Sequence, residues 1–333
     1  MKLRMPAEWE KHERTWMSWP PNNYLLGEND KEAELTRTTW ANVANAIVKY
    51  EPVTVLATSD QIELARNYLH TSIEIVEAEL NDAWLRDNGP TFAKSETGEL
   101  VAINWIFNGW GNQPWASFDK DQLTAGFIGK LTASKVVDSE LINEGGGIHV
   151  NGAGVVLLTE TVQLGEGRNS SWSKQEVEAE IHAKLGTSKA IWVKRGLTRD
   201  YDGFGTRGHI DIVACFASEN VILYHDQQDP THPDFEVSKE VKATLEAAGN
   251  FELIAVPAPK VLRDEEGFVD YSYINHYIVN GAVILCSFDD PNDQIAKSIL
   301  EKAYPGREIV LVDAKQIFAN GGGIHCITQQ QPA

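Results

Sequence analysis

One pentapeptide occurs twice, and it constrains the fold of these 333 residues more than any other feature. Gly145-Gly146-Gly147-Ile148-His149 returns unchanged as Gly321-Gly322-Gly323-Ile324-His325, 176 positions later. Val150 follows the first copy and Cys326 the second. A fainter echo links Asn151-Gly152-Ala153-Gly154-Val155-Val156-Leu157-Leu158 with Asn280-Gly281-Ala282-Val283-Ile284-Leu285. Internal repetition of this kind marks one supersecondary unit used several times. Consecutive glycines let the backbone take dihedrals closed to other residues and approach a ligand with no Cβ in the way. Repeated units that bring such turns to one place fit a pseudosymmetric propeller with its active site on the axis.

Periodicity agrees with a mixed α/β chain. Short β-rich runs occur at 53–57, 100–107, 154–159, 191–193, 210–216, 221–225, 253–256, 282–288 and 309–312, with amphipathic stretches between many of them. The spacing predicts helices over 31–50, 60–70, 173–185, 238–248 and 291–304. Ser173-Lys174-Gln175-Glu176 has the pattern of a capping box, and Pro291 suits a first helical position. No linker or low-complexity tract divides the chain, so residues 1–333 are expected to form a single catalytic domain.

Cys326 differs from the other two cysteines. Cys215 and Cys286 lie in apolar strand-like runs and read as small buried hydrophobes. Cys326 follows a glycine triplet and precedes Thr328 and the Gln329-Gln330-Gln331-Pro332 tail, an arrangement that suggests a positioned thiol. Residues this close to a terminus fray unless they are packed, so a functional Cys326 requires the tail to be tied down.

Two further stretches carry chemistry. In Gly208-His209-Ile210-Asp211, a strand would place His209 and Asp211 on one face. In Asp82-Ala83-Trp84-Leu85-Arg86-Asp87-Asn88-Gly89-Pro90, Asp87 precedes a turn sequence and its carboxylate is expected on a loop. Read blandly, Asp82, Arg86 and Asp87 are surface ion pairs of little worth, and Glu144, before the first triplet, is a solvated acid. Together these residues supply the tools for one reaction type. Carboxylates hold a planar guanidinium through paired N–H bonds, a thiolate attacks its central carbon, and a histidine moves the protons. A metal site is the weaker alternative, since no spacing matches a zinc motif; no cofactor and no metal are expected.

The net charge of −19 excludes nucleic acid and anionic membranes as partners and is compatible with a small cationic substrate. No run approaches the roughly 18 apolar residues of a membrane span, and the N-terminal residues meet charge at once, unlike a signal peptide. Three scattered cysteines make no disulfide framework. The expectation is a cytoplasmic protein and a homo-oligomer, with Trp105 to Trp115 either a subunit interface or a lid.

Several of these stretches resemble the agmatine deiminase family, within the bacterial peptidylarginine-deiminase-like group of guanidino-modifying enzymes. They are Met5-Pro6-Ala7-Glu8-Trp9-Glu10 through Trp16-Met17-Ser18-Trp19-Pro20, the 82–92 block, 144–150, Gly208-His209-Ile210-Asp211, 275–281 and the Cys326 tail, and the resemblance runs nearly end to end. It implies the pentein fold, a five-bladed pseudosymmetric α/β propeller of ββαβ units. It also implies Cys326 as nucleophile, His209 as general acid and base, and Asp87 and Asp211 as the guanidinium clamp. Glu144 would orient His209, and Trp84 would pack on the substrate's alkyl chain. The implied reaction converts agmatine and water to N-carbamoylputrescine and ammonia through a thiouronium on Cys326, without a cofactor.

One departure concerns the substrate's tail. Many family members carry an acid four places before the catalytic histidine, where this chain has Gly205, with Arg207 two before His209. Either Asp202 substitutes for that acid, or Arg207 faces a carboxylate tail such as that of arginine or 4-guanidinobutyrate. Beside deimination stand an amidinotransferase or arginine-type deiminase on the same scaffold, and a guanidino-compound binding protein without turnover.

Overall fold

A computed structural model describes residues 2–333. Its strands form five separate sheets of three or four strands, and among the described residues no sheet closes on itself. One connectivity recurs. Thr91–Ser95 pairs antiparallel with Leu100–Ile106, and the chain passes through the helix Thr124–Leu131 to return parallel as Lys135–Ile142. Ile148–Val150 and Val155–Thr159 repeat the antiparallel pair, and after the helix Lys174–Leu185 the strand Lys189–Val193 returns parallel. Ala214–Ser218, Val221–Asp226, the helix Asp234–Ala247 and Glu252–Pro257 make the third unit. Tyr277–Val279, Ala282–Ser287, the helix Asn292–Ala303 and Glu308–Asp313 make the fourth.

The fifth unit joins the two ends of the sequence. Thr328–Pro332 pairs antiparallel with His12–Ser18, which is followed by the helix Asp30–Ile47 and the parallel strands Val53–Ala57 and Glu74–Glu77. The tail bearing Cys326 is therefore tied down by a ladder to residues some 300 positions earlier.

In the second and fourth units the middle strand is buried on both faces and so reads as a near-continuous apolar run, Val155-Val156-Leu157-Leu158 and Ala282-Val283-Ile284-Leu285-Cys286, whereas His12–Ser18 of the fifth is polar at its start. Cys286 lies in such a middle strand and Cys215 in the outer strand Ala214–Ser218 of its unit, and both are buried and free. Helices cover the sheets with their apolar faces; Val177, Ile181 and Leu185 of one helix join a core with Val156, Leu158 and Leu141. The capping box at Ser173 forms as expected, its hydroxyl accepting from the Glu176 N–H while Glu176 accepts from the Ser173 N–H. The helix expected at 60–70 shortens to Ile62–Ala65. The strand expected at 210–216 begins only at Ala214, because Ile210–Ile212 is a single 3₁₀ turn. No described helix is long and apolar enough to cross a membrane.

Candidate active site

Both glycine triplets come to the same place. A methyl group at Gly146 would collide with His209 Nδ1 and lie 2.9 Å from Asp87 Oδ1. One at Gly322 would lie 2.7 Å from the Trp84 ring and 3.1 Å from Cys326 Sγ. At each position the backbone takes up the room of a side chain, so that catalytic-type groups approach to van der Waals distance.

Cys326 sits in the 3₁₀ turn His325–Ile327, at the head of the terminal strand, and is 4% exposed. Asn275 Nδ2 donates to its sulfur at 3.3 Å, and Asp211 Oδ2 lies 3.6 Å from it. Burial, then the charges of Asp211 and Asp87, push the thiol well above its ordinary range. A cation seated between those carboxylates would lift the electrostatic penalty on its ionisation.

His209 is 1% exposed. Its Nε2 is 3.3 Å from Glu144 Oε2 and its Nδ1 is 3.8 Å from Asp87 Oδ1. Burial opposes the imidazolium, but Asp87 and Glu144 outweigh it and raise the group to about 9. Asp87 is not on a loop: it occupies the one-turn helix Leu85–Asn88. Its Oδ1 accepts the Gly146 N–H at 2.9 Å and its Oδ2 the Trp110 Nε1–H at 2.8 Å. Burial raises its carboxyl to about 6, with Asp211 and Glu144 adding to the shift against the pull of His209.

Glu144 is fully buried, not solvated. Arg168 Nε donates to both of its oxygens, at 2.9 and 3.0 Å, and Arg168 Nη2 donates to the Thr206 carbonyl. Burial alone would raise Glu144, but Arg168 and His209 override it and hold it below the ordinary range. Asp211 Oδ2 accepts from His325 Nδ1 at 2.8 Å, while its Oδ1 is buried without a hydrogen-bond partner. That free oxygen is the kind of unsatisfied acceptor one expects where a ligand's N–H groups are to bind, and the orphaned His209 Nδ1, on a charged ring, is an unused donor beside it.

His209 and Asp211 do not share the face of a strand. The acid Asp200, buried beneath the 206–209 segment, accepts from the backbone N–H groups of Thr206, Gly208 and His209. It bends this stretch around its carboxylate and overrides the local strand pattern.

Arg207 and Asp202 stand apart from this cluster. Arg207 donates to the Tyr201 carbonyl and, at 2.8 Å, to Gln113 Oε1. It lines a groove with Trp110, Gln113, Lys194 and Tyr201 and makes no hydrogen bond to Cys326, Asp87 or Asp211. Asp202 is exposed. Asp82 and Arg86 are buried, so neither belongs to a surface ion pair.

Aromatic rings close the site. Trp84, beside Cys326, donates through Nε1 to the Tyr24 hydroxyl at 3.0 Å. Trp110, bonded to Asp87, stacks on Trp115 with centroids 5.2 Å apart. The two walls converge, since Tyr24 stacks on Phe204 at 4.6 Å and both rings meet Trp115 edge-on.

Sequence reading did not single out Asn275, Trp110, Arg168, Asp200 or the ring of His325. Trp110 carries a faint signal, lying between two glycines at φ 55°, a dihedral that non-glycine residues rarely hold. The repeat pointed at His325 but gave it no role. Arg168 and Asp200 have no local mark.

The sequence profile of the Porphyromonas-type peptidyl-arginine deiminase family matches residues 4–332. A Streptomyces avermitilis protein provisionally named agmatine deiminase is 54% identical, covering 99% of this chain and 97% of its own. The agmatine deiminase of Pseudomonas aeruginosa strain LESB58 is 36% identical over 99% of this chain and 96% of its own. The solved structure of the Enterococcus faecalis agmatine deiminase superposes with a TM-score of 0.90 at 30% identity, covering 99% of this chain and 96% of that one. A match across nearly every residue, around a closed cluster of thiol, imidazole and carboxylates, places this chain in the Porphyromonas-type peptidyl-arginine deiminase family.

Proposed function

We propose that the protein is an agmatine deiminase, hydrolysing agmatine to N-carbamoylputrescine and ammonia in the route to putrescine. The observation that carries this reading is the free Asp211 oxygen beside Asp87, with Cys326 Sγ 3.6 Å from the same Asp211 carboxylate. A guanidinium held by the two acids presents its central carbon to the sulfur and relieves the charge that keeps the thiol protonated.

Once the bound cation has displaced the thiol proton to solvent, Cys326 adds to the guanidinium carbon as a thiolate. His209, charged in the free protein, gives its proton to the departing nitrogen, and the C–N bond breaks to release ammonia and leave an S-alkylthiouronium. The neutral imidazole next takes a proton from water. The oxygen adds to the same carbon, the C–S bond breaks, and the ureido product leaves with the thiolate restored. Glu144 orients His209 and favours its charged form, and Trp84 packs along the alkyl chain.

The engagement of Arg207 by Tyr201 and Gln113 supports an amine tail over a carboxylate tail. Near the closing rings the buried acids Asp82 and Asp121 both act on Tyr24. The five ββαβ units are read as blades about a common axis, and the chain as one domain. A cytoplasmic setting accords with the three free cysteines. Exposed Leu123 and Leu131, at the two ends of one helix, accord with a homo-oligomer.

Ammonia release should be measured on agmatine, arginine, 4-guanidinobutyrate and a peptide containing arginine. Agmatine should be preferred, and Cys326→Ala should lower turnover by about 10⁴-fold or more. Undiminished turnover in Cys326→Ala, or faster turnover of a carboxylate-bearing guanidine, would overturn the assignment.

A further inference from the structure

The histidines of the duplicated pentapeptide face each other beneath the site, with ring centroids 6.2 Å apart, and their surroundings differ. His149 Nδ1 accepts the backbone N–H of Phe216 at 3.2 Å, so that nitrogen bears no proton. His325 is bonded at both nitrogens to acids: Nδ1 to Asp211 Oδ2 at 2.8 Å and Nε2 to Glu8 Oε2 at 2.8 Å. An ionised carboxylate only accepts. Both contacts are hydrogen bonds with ionised acids only if the ring carries two protons.

Glu8 is placed to remain ionised. Its Oε1 accepts the Ile278 N–H at 2.8 Å, and Arg86 Nη2 stands 3.9 Å from Oε2. Arg86 is itself fixed through Nε to the His325 carbonyl and through Nη1 to Gln330. The buried charges therefore alternate from Asp211 through His325 and Glu8 to Arg86. The groups facing His325 are Glu8, Asp211, Arg86, His149, His276 and the Tyr277 ring.

Glu8, His149 and His325 also fall within metal-ligating distance of one another. The cavity they share with Arg86 and Gln330 is only about 10 Å³, no larger than one water requires. The Arg86 cation borders it, and both nitrogens of His325 are already engaged, so this is not a metal site.

We propose that His325 is a positioning residue for the reaction: a permanent imidazolium, pinned by Glu8, that occupies one oxygen of Asp211 and so turns the other toward the guanidinium. His149, its repeat counterpart, stays neutral and serves the fold alone. The shifts agree in direction. Burial and Arg86 disfavour the charged ring of His325, yet Glu8 and Asp211 raise it above its ordinary value, whereas burial drives His149 down to about 3. One duplicated motif thus supplies a charged histidine next to the thiol and a neutral one in the neighbouring unit.

This inference rests on the deiminase reading for its kinetics but not for its decisive measurement. In protein labelled with ¹⁵N-histidine, the ring nitrogens of His325, assigned by its loss in His325→Asn, should both be protonated at pH 8 with no substrate present. A neutral His325 ring at that pH overturns the proposal whatever the substrate proves to be. In the kinetic arm, His325→Ala should lower kcat/KM for agmatine about 100-fold. His325→Asn, whose amide can still donate to Asp211, should recover about tenfold of that loss, and His149→Asn should stay within about threefold of the parent, in line with losses seen for groups that orient others.

Glu8→Gln keeps the shape and removes the charge, so His325 should lose its proton within the working range. The alkaline limb of kcat/KM should then move down by about one pH unit or more. A purely structural role predicts lower thermal stability for the two His325 variants and for Glu8→Gln with this limb unmoved, and that result would also overturn the proposal.

Discussion

The chemistry turns on which carboxylate oxygens are occupied. Asp87 accepts one bond on each oxygen, from Gly146 and Trp110, while Asp211 has one oxygen bonded and one bare. For the proposed reaction kcat/KM should follow a bell. Below about 6 the Asp87 carboxyl takes up a proton and the clamp loses a charge; above about 9 His209 gives up the proton that ammonia must carry away. Glu144→Gln removes a charge that raises His209, so its alkaline limb should shift to lower pH, and a limb left at about 9 would assign it to another group. Gly146→Ala should cost about 100-fold in kcat/KM or more with the far-ultraviolet circular dichroism unchanged, since the added methyl meets His209 and Asp87 and leaves the sheets alone. At this scale the sequence marked Cys326 and Glu144 as candidates because each stands beside a glycine triplet, but it passed over Trp110 between its two glycines. It was silent on Arg168 and Asp200, whose partners are brought to them by the fold.

Among the elements, legibility follows locality. Val53–Ala57 was read to the residue because a strand buried on both faces is apolar at all but one position, Thr54. The helix Lys174–Leu185 was announced by its own capping box. Ser173→Ala should cost about 1 kcal/mol and lower the melting temperature by about 2 °C without altering kcat, which calorimetry and an ammonia assay would check together. The strands His12–Ser18 and Thr328–Pro332 escaped notice because His-Glu-Arg-Thr and Thr-Gln-Gln-Gln are polar, and each is ordered by a partner at the far end of the chain. The 3₁₀ turn Ile210–Ile212 has the apolar alternation of a strand, yet Asp200 captures the N–H groups just before it.

Across the whole molecule, the repeat of Gly-Gly-Gly-Ile-His was the visible trace of five similar sheets, although two of them retain the pentapeptide at the site and the others do not. Net charge and cysteine count told nothing of the closure over the site by Tyr24, Phe204 and Trp115. Phe204→Ala should loosen that cover, raising KM for agmatine several-fold while kcat falls less. An unchanged KM would place the substrate's path elsewhere. The three thiols are all free and all buried, two inside strands and one under aromatic rings. An alkylating reagent added to the folded protein therefore finds nothing to react with until something opens, and the order in which the sulfurs become labelled records what opened first. The chain carries its own clock for breathing at the catalytic mouth against melting of the interior, with no probe attached.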